Sequence, residues 1–117
     1  MIRVAFFSAL DFHGPILAPV REALTDRADT LLTADRRAIV RFRPHVLVMA
    51  FFSHLELFRR TLPETFIVNI RHGMIGKGGL HRLPKRGSAR HFDAVAVGDR
   101  VRIADYERSG ARPEAYW

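Results

Sequence analysis

Apolar residues in this chain are gathered into short dense runs rather than spread in strict apolar and polar alternation. Ile2 to Phe7, Thr30 to Leu32, Val46 to Phe52, Phe66 to Ile70 and Ala94 to Val97 are mostly β-branched or aromatic, with few polar interruptions. A strand covered by helices above and below has no solvent face to make polar, so runs of this kind predict strands buried on both sides.

Helical spacing fills the gaps between the runs. Ile16, Leu17, Val20, Ala23 and Leu24 form one apolar stripe, and Pro15 suits a first helical position, where its missing N–H costs nothing. Asp35 can cap a second helix, which must end near Arg43 because Pro44 disfavours helical geometry in the residue before it. Ser53 and Glu56 have the spacing of a capping box for a third. A fourth is predicted from about Arg100 to Ser109, with Asp99 as N-cap and Gly110 as a left-handed C-cap.

Strand, helix, strand in repetition predicts an α/β fold. The expected form is a Rossmann-like three-layer domain, with a mainly parallel sheet of about five strands and right-handed crossovers. The 117 residues suit one such unit. Arg71 to His91 is the long stretch with no clear element. The closing Ala115-Tyr116-Trp117 falls where a sixth strand or a linker to another domain would begin, which reads as a truncation or as aromatics docked on the core.

Composition narrows the class. A hydrophobic fraction of 48% and a charged fraction of 26% are those of a globular chain and exclude a disordered or fibrous one. Nineteen basic residues, nearly all arginine, against 12 acidic ones give a net charge of +7, which favours phosphate, nucleic acid or an anionic membrane surface as partners. The absence of cysteine excludes disulfides and thiolate chemistry. The opening "MIRVAFFSALDFHG" lacks a basic region ahead of a long apolar core and the roughly 20-residue span of a membrane helix. It reads as a buried strand, and the cytoplasm is the expected compartment.

Parallel sheets bind ligands outside the carboxyl ends of their strands, so residues just after each run carry the chemistry. These are Ser8 to Gly14 (with Ser8, Asp11 and His13), then Ser53 and His54, then Arg71 to Lys77, then Gly98 and Asp99. His45 precedes its strand and is expected to be structural. From Arg71 to His91 there are six Lys or Arg residues, three His and no carboxylate. This is either a solvated basic loop or an anion site, in which Gly73, Gly76, Gly78 and Gly79 allow backbone donors to approach and Lys77 adds charge.

Standard signatures are missing. The loop has neither the Walker A spacing nor the GxGxxG fingerprint, and "SALDFHG" after the first run has one glycine, so no nicotinamide, flavin or other cofactor is implied. His72, His81 and His91 lack the spacing of zinc ligands, and no metal is expected. No G-x-S-x-G elbow occurs. His72 is the candidate for proton transfer, since imidazole titrates near neutrality; fixing the loop or binding an anion is its other reading. Asp11 and His13 can meet it across the sheet or cap the first helix.

"VNIRHGMIGKGG", followed by "FDAVAVGDRVRIADYERSGARPE", resembles the CDP-glycerol glycerophosphotransferase-like group and, more broadly, GT-B nucleotide-sugar enzymes. The matching positions are His72-Gly73, Lys77, Asp93, Gly98 and Gly110, over roughly the last half of the chain. The resemblance implies a cytoplasmic enzyme of cell-envelope polymer synthesis, peripheral to the inner face of the membrane. It would transfer a glycerophosphate or glycosyl group from a nucleotide-activated donor to a hydroxyl acceptor.

In that picture His72 is the general base, and Arg71, Gly73, Gly76, Lys77 and Gly78 hold anionic groups. Residues 1–117 are the acceptor-side N-terminal domain of a longer two-domain protein. This half is inactive alone, because a second Rossmann-like domain carries the nucleotide. The alternatives are a non-catalytic module that binds a polyanion through residues 71–91 and a nucleotide-sugar 2-epimerase-like domain. Nucleic acid is the weaker partner, since the loop lacks aromatic interleaving for base stacking.

Overall fold

The computed structural model describes residues 1–9, 13–50, 54–70 and 88–96. In chain order they form β1 (Ile2–Phe7), α1 (His13–Leu24), β2 (Ala28–Thr33), α2 (Arg36–Phe42), β3 (Val46–Met49), α3 (Leu55–Thr61), β4 (Phe66–Ile70), a 3-10 turn (Ser88–His91) and β5 (Ala94–Ala96). The strands make one sheet in the order β2-β1-β3-β4-β5, and every pairing is parallel. This is a Rossmann-like α/β domain. Registers align the carboxyl ends of the central strands: Phe7 lies between Thr33 and Met49, and Met49 in turn faces Asn69.

Alternation along each strand divides the core into two clusters. Val4 and Phe6 of β1 join Val48, Ala28 and Ala50 under α1, where Leu17 is fully buried and Ile16, Val20 and Leu24 pack around it. Ala5 and Phe7 face the other way, with Leu47, Met49, Ile67 and Val95, against Ile39 of α2 and Leu55, Phe58 and Leu62 from α3 and its end. Phe7 and Phe58 meet edge to face at 4.9 Å between ring centroids. β1 and β3 contribute to both clusters because helices cover the two faces of the sheet there, which is why their sequence does not alternate.

The helix ends follow the local chemistry, with two corrections. Asp35 caps α2, its Oδ1 accepting the Arg37 N–H at 2.9 Å, and the helix stops at Phe42 with Arg43 in the left-handed region at φ 50° ahead of Pro44. That backbone costs a non-glycine residue about 1–2 kcal/mol. The Arg3 Nε offsets it by donating to the carbonyls of Phe42 (3.1 Å) and Arg43 (2.9 Å).

α1 begins at His13, so Pro15 is its third residue and not its first, and Pro19 lies one turn further on. Pro15 still falls among the N–H groups that lack an acceptor, whereas Pro19 removes the bond to the Pro15 carbonyl. For α3 the N-cap position is His54, with no side-chain cap bond, and Glu56 sits in its first turn. This is one residue later than the predicted Ser53 capping box requires.

β2 is longer than the predicted Thr30–Leu32 because Ala28, Asp29 and Thr33 also pair with β1. The stretch from Arg71, predicted to lack regular elements, contains the 3-10 turn at its end. Residues 51–52, the end of the predicted third strand, and the predicted fourth helix lie outside the described residues.

Candidate functional site

β1 and β3 are neighbours in the sheet although β2 separates them in sequence. After β1 the chain goes to α1 on one face; after β3 it goes to α3 on the other. The two helices lie on opposite faces, and in an open parallel sheet such a change of side at the carboxyl ends of neighbouring strands, here β1 and β3, is where ligands are expected to bind.

Ser8 stands directly after β1, half-buried, its N–H donating to the Thr33 carbonyl at 3.0 Å and so extending the ladder past the strand end. At the end of β2 the Thr33 Oγ1 accepts the Asp35 N–H at 3.0 Å, tightening the turn into α2. The first turn of α2 then presents Arg36 and Arg37, with no acidic residue there. Cations at a helix N-terminus oppose the macrodipole by about 0.3–1 kcal/mol each, so this end of α2 keeps an electropositive character at a cost.

His54 follows β3 with φ 64° and ψ 16°, a left-handed conformation that imidazole-bearing residues tolerate better than β-branched ones. Its carbonyl accepts the Phe58 N–H at 3.0 Å, and its ring meets Phe7 edge to face at 5.8 Å. Partial burial, and after it the positive charge of Arg36, lower the pKa of His54 below the ordinary histidine value. The imidazole is therefore neutral at physiological pH and able to accept a proton or a hydrogen bond.

Asn69 is the fourth residue of β4 and almost fully buried. Its Nδ2 donates to the Met49 carbonyl across the β3–β4 pair at 3.5 Å, a long bond. β4 then ends at Ile70, also at the carboxyl edge, and Arg71 is the next residue.

Among the predicted site residues, Ser8 is at this edge and His13 is the first residue of α1. Asp11, Ser53, Arg71, His72, Gly73, Gly76, Lys77, Gly78 and Gly98 lie outside the described residues. His54, which the strand-end rule expects after the third run, is at this edge, and two residues that the sequence did not nominate join it: Arg36 and Asn69. Asn69 carried a signal, because asparagine is depleted in strands and this one interrupts the apolar run "FIVNI". Arg36 carried a weaker one as a cation in the first turn of a helix.

His45 lies at the opposite, amino edge, where its Nδ1 accepts the Arg3 N–H at 2.9 Å. A cavity of about 530 Å³ there is lined by Arg3, Arg43, His45 and Glu64 among others. It lies at the end of the strands away from Ser8 and His54. Among the described residues, no cluster of His, Cys, Asp and Glu side chains is gathered to hold a metal ion, and no helix is long and apolar enough to cross a membrane. No protein-family model, curated protein or solved structure matches the chain.

Proposed function

We propose that this chain is the acceptor-side half of a GT-B type transferase, moving a glycerophosphate or glycosyl group from a nucleotide-activated donor to a hydroxyl acceptor. One observation carries the reading: a five-stranded parallel sheet in the order β2-β1-β3-β4-β5 ends β4 at Ile70, immediately before "RHGMIGKGG", at the edge that holds Ser8 and His54. Basic, glycine-rich chain following a strand at the carboxyl edge is suited to anionic ligands.

In the proposed reaction His72 takes the acceptor hydroxyl proton as that oxygen attacks the phosphorus or anomeric carbon of the donor. The bond from that centre to the nucleotide oxygen breaks, and the nucleotide leaves with the bonding pair. Lys77 and the glycine backbone hold anionic groups, and a second α/β unit supplies the nucleotide site. Neutral His54 offers the acceptor a further hydrogen-bond partner, and Arg36 an anion contact.

The test is product analysis on the protein together with any continuing reading frame, using CDP-glycerol and UDP-sugars as donors. Acceptor-dependent nucleotide release is expected, reduced about 10²–10⁴-fold by His72→Ala, the usual contribution of a general base. Unchanged turnover in that variant sinks the role of His72. An altered sugar with no group transferred would point to an epimerase. The absence of turnover together with salt-sensitive polyanion binding would favour the non-catalytic module.

A further inference from the structure

α2 and α3 lie side by side on one face of the sheet, burying Ile39, Leu55 and Phe58 inward. On the flank turned away from those residues a groove of about 550 Å³ is lined by Arg36, Arg37, Val40, Arg41, Leu57 and Thr61. Val40 and Leu57 are half-buried and form an apolar floor, while the three arginines are exposed. Among the described residues no carboxylate lines the groove; the Arg59 ion pair with Asp93 is elsewhere on α3.

We propose that this groove docks an acidic amphipathic helix of a partner protein, with an apolar side chain on Val40 and Leu57 and carboxylates on the guanidinium groups. The spacing supports a helix. Arg37 and Arg41 are one turn apart on α2, about 6 Å along its axis, which matches carboxylates at i and i+4 of a partner helix. The seven residues of α2 span about 10 Å, enough to engage roughly two turns. An apolar floor between charged walls is the groove form in which amphipathic helices dock.

Other polyanions fit less well. A bilayer surface would want apolar groups to insert, but among the described residues the exposed large hydrophobics, Met1, Ile2 and Phe66, stand at the amino edge of the sheet and not on this flank. A nucleic acid would want stacking rings, and among the described residues no aromatic side chain lines the groove.

The experiment measures fluorescence anisotropy of the full chain with a capped, alanine-based peptide of about 16 residues, long enough to be helical, with Glu-x-x-Leu-Glu on one face. A Lys-for-Glu peptide, phosphatidylglycerol vesicles and a single-stranded oligonucleotide are run beside it. Saturable binding of the Glu peptide is expected, weakened about tenfold or more by Arg37→Glu with Arg41→Glu and by added salt, with no binding of the Lys peptide.

Leu57→Ser should weaken binding as well, and it serves as the second variant if thermal melting shows the charge-reversed chain to be unfolded. No saturable binding of the Glu peptide, or equal binding by the variants, overturns the proposal. So does binding confined to vesicles or oligonucleotide. No donor or turnover enters this measurement, so its failure and that of the transferase reading are separable.

Discussion

Arg59 of α3 and Asp93 before β5 form an ion pair at 2.7 Å that ties a helix to two strands. The same Asp93 oxygen accepts the Ile67 N–H of β4 at 2.8 Å. The guanidinium also donates to the carbonyls of Pro63, Thr65 and His91, at 3.2, 3.1 and 2.6 Å. A planar fork with several donors can hold this many acceptors at once; a lysine ammonium has neither the reach nor the geometry.

Arg59→Ala should therefore cost about 1–3 kcal/mol, more than an exposed ion pair would, because several hydrogen bonds go with the charge. Arg59→Lys should recover only a small part. Urea unfolding measures this as a lower midpoint at unchanged slope. A loss within experimental scatter of zero would show the network to be dispensable.

Phe58 is fully buried and closes edge to face on Phe7, the last residue of β1. Phe58→Ala leaves a cavity that the surrounding strands cannot close and should cost about 3–5 kcal/mol. Phe58→Leu, which keeps most of the volume, should cost about 1–2 kcal/mol. Thermal melts of the two variants should fall in that order, and equal melting temperatures would contradict the packing.

The fold was more legible than the site, for physical reasons. β1 and β4 read to the residue because both are dense apolar strands, and the end of α2 was fixed by Pro44. β2 was clipped because it is an edge strand, so exposed Asp29 can take a place in the ladder without breaking an apolar run. The start of α1 was misplaced because Pro15 is tolerated throughout the first turn and not only at its first residue.

At the edge, Ser8 follows from the strand-end rule alone. The left-handed backbone of His54 and its approach to Arg36 come from packing across elements, which no local pattern encodes. The chemistry read into His72, Lys77 and their glycines lies outside the described residues, so it rests on the sequence and on the place where β4 ends.

Asp35 gives a local test of the turn that leads into the site. Its carboxylate accepts the Arg37 N–H, and its own N–H is held by Thr33. Asp35→Ala should destabilise the protein by about 0.5–2 kcal/mol, and Asp35→Asn by much less, since an amide oxygen caps nearly as well. Hydrogen exchange at the first turn of α2 should quicken in the alanine variant. Exchange unchanged there would mean that packing of Ile39 alone sets the helix start.

His54 makes the pH dependence testable with a definite sign. Its pKa is lowered in the fold, first by partial burial and then by Arg36; that of His91 is lowered by burial and by Arg90 and Arg59, against an opposing pull from Glu56. In the window between the lowered folded values and the ordinary histidine value, the unfolded chain binds more protons than the native one. Stability therefore rises with pH across that window, and the penalty is complete only below the folded values.

Arg36→Gln removes the second cause at His54 and should raise its titration midpoint part of the way, leaving it below the ordinary value because burial persists. Histidine ring resonances followed by NMR between about pH 4 and 8 would show this, with His91 as an internal control expected not to move. A His54 midpoint unaffected by the substitution would mean that the Arg36 charge is screened from His54, and it would remove Arg36 as an anion contact for the site.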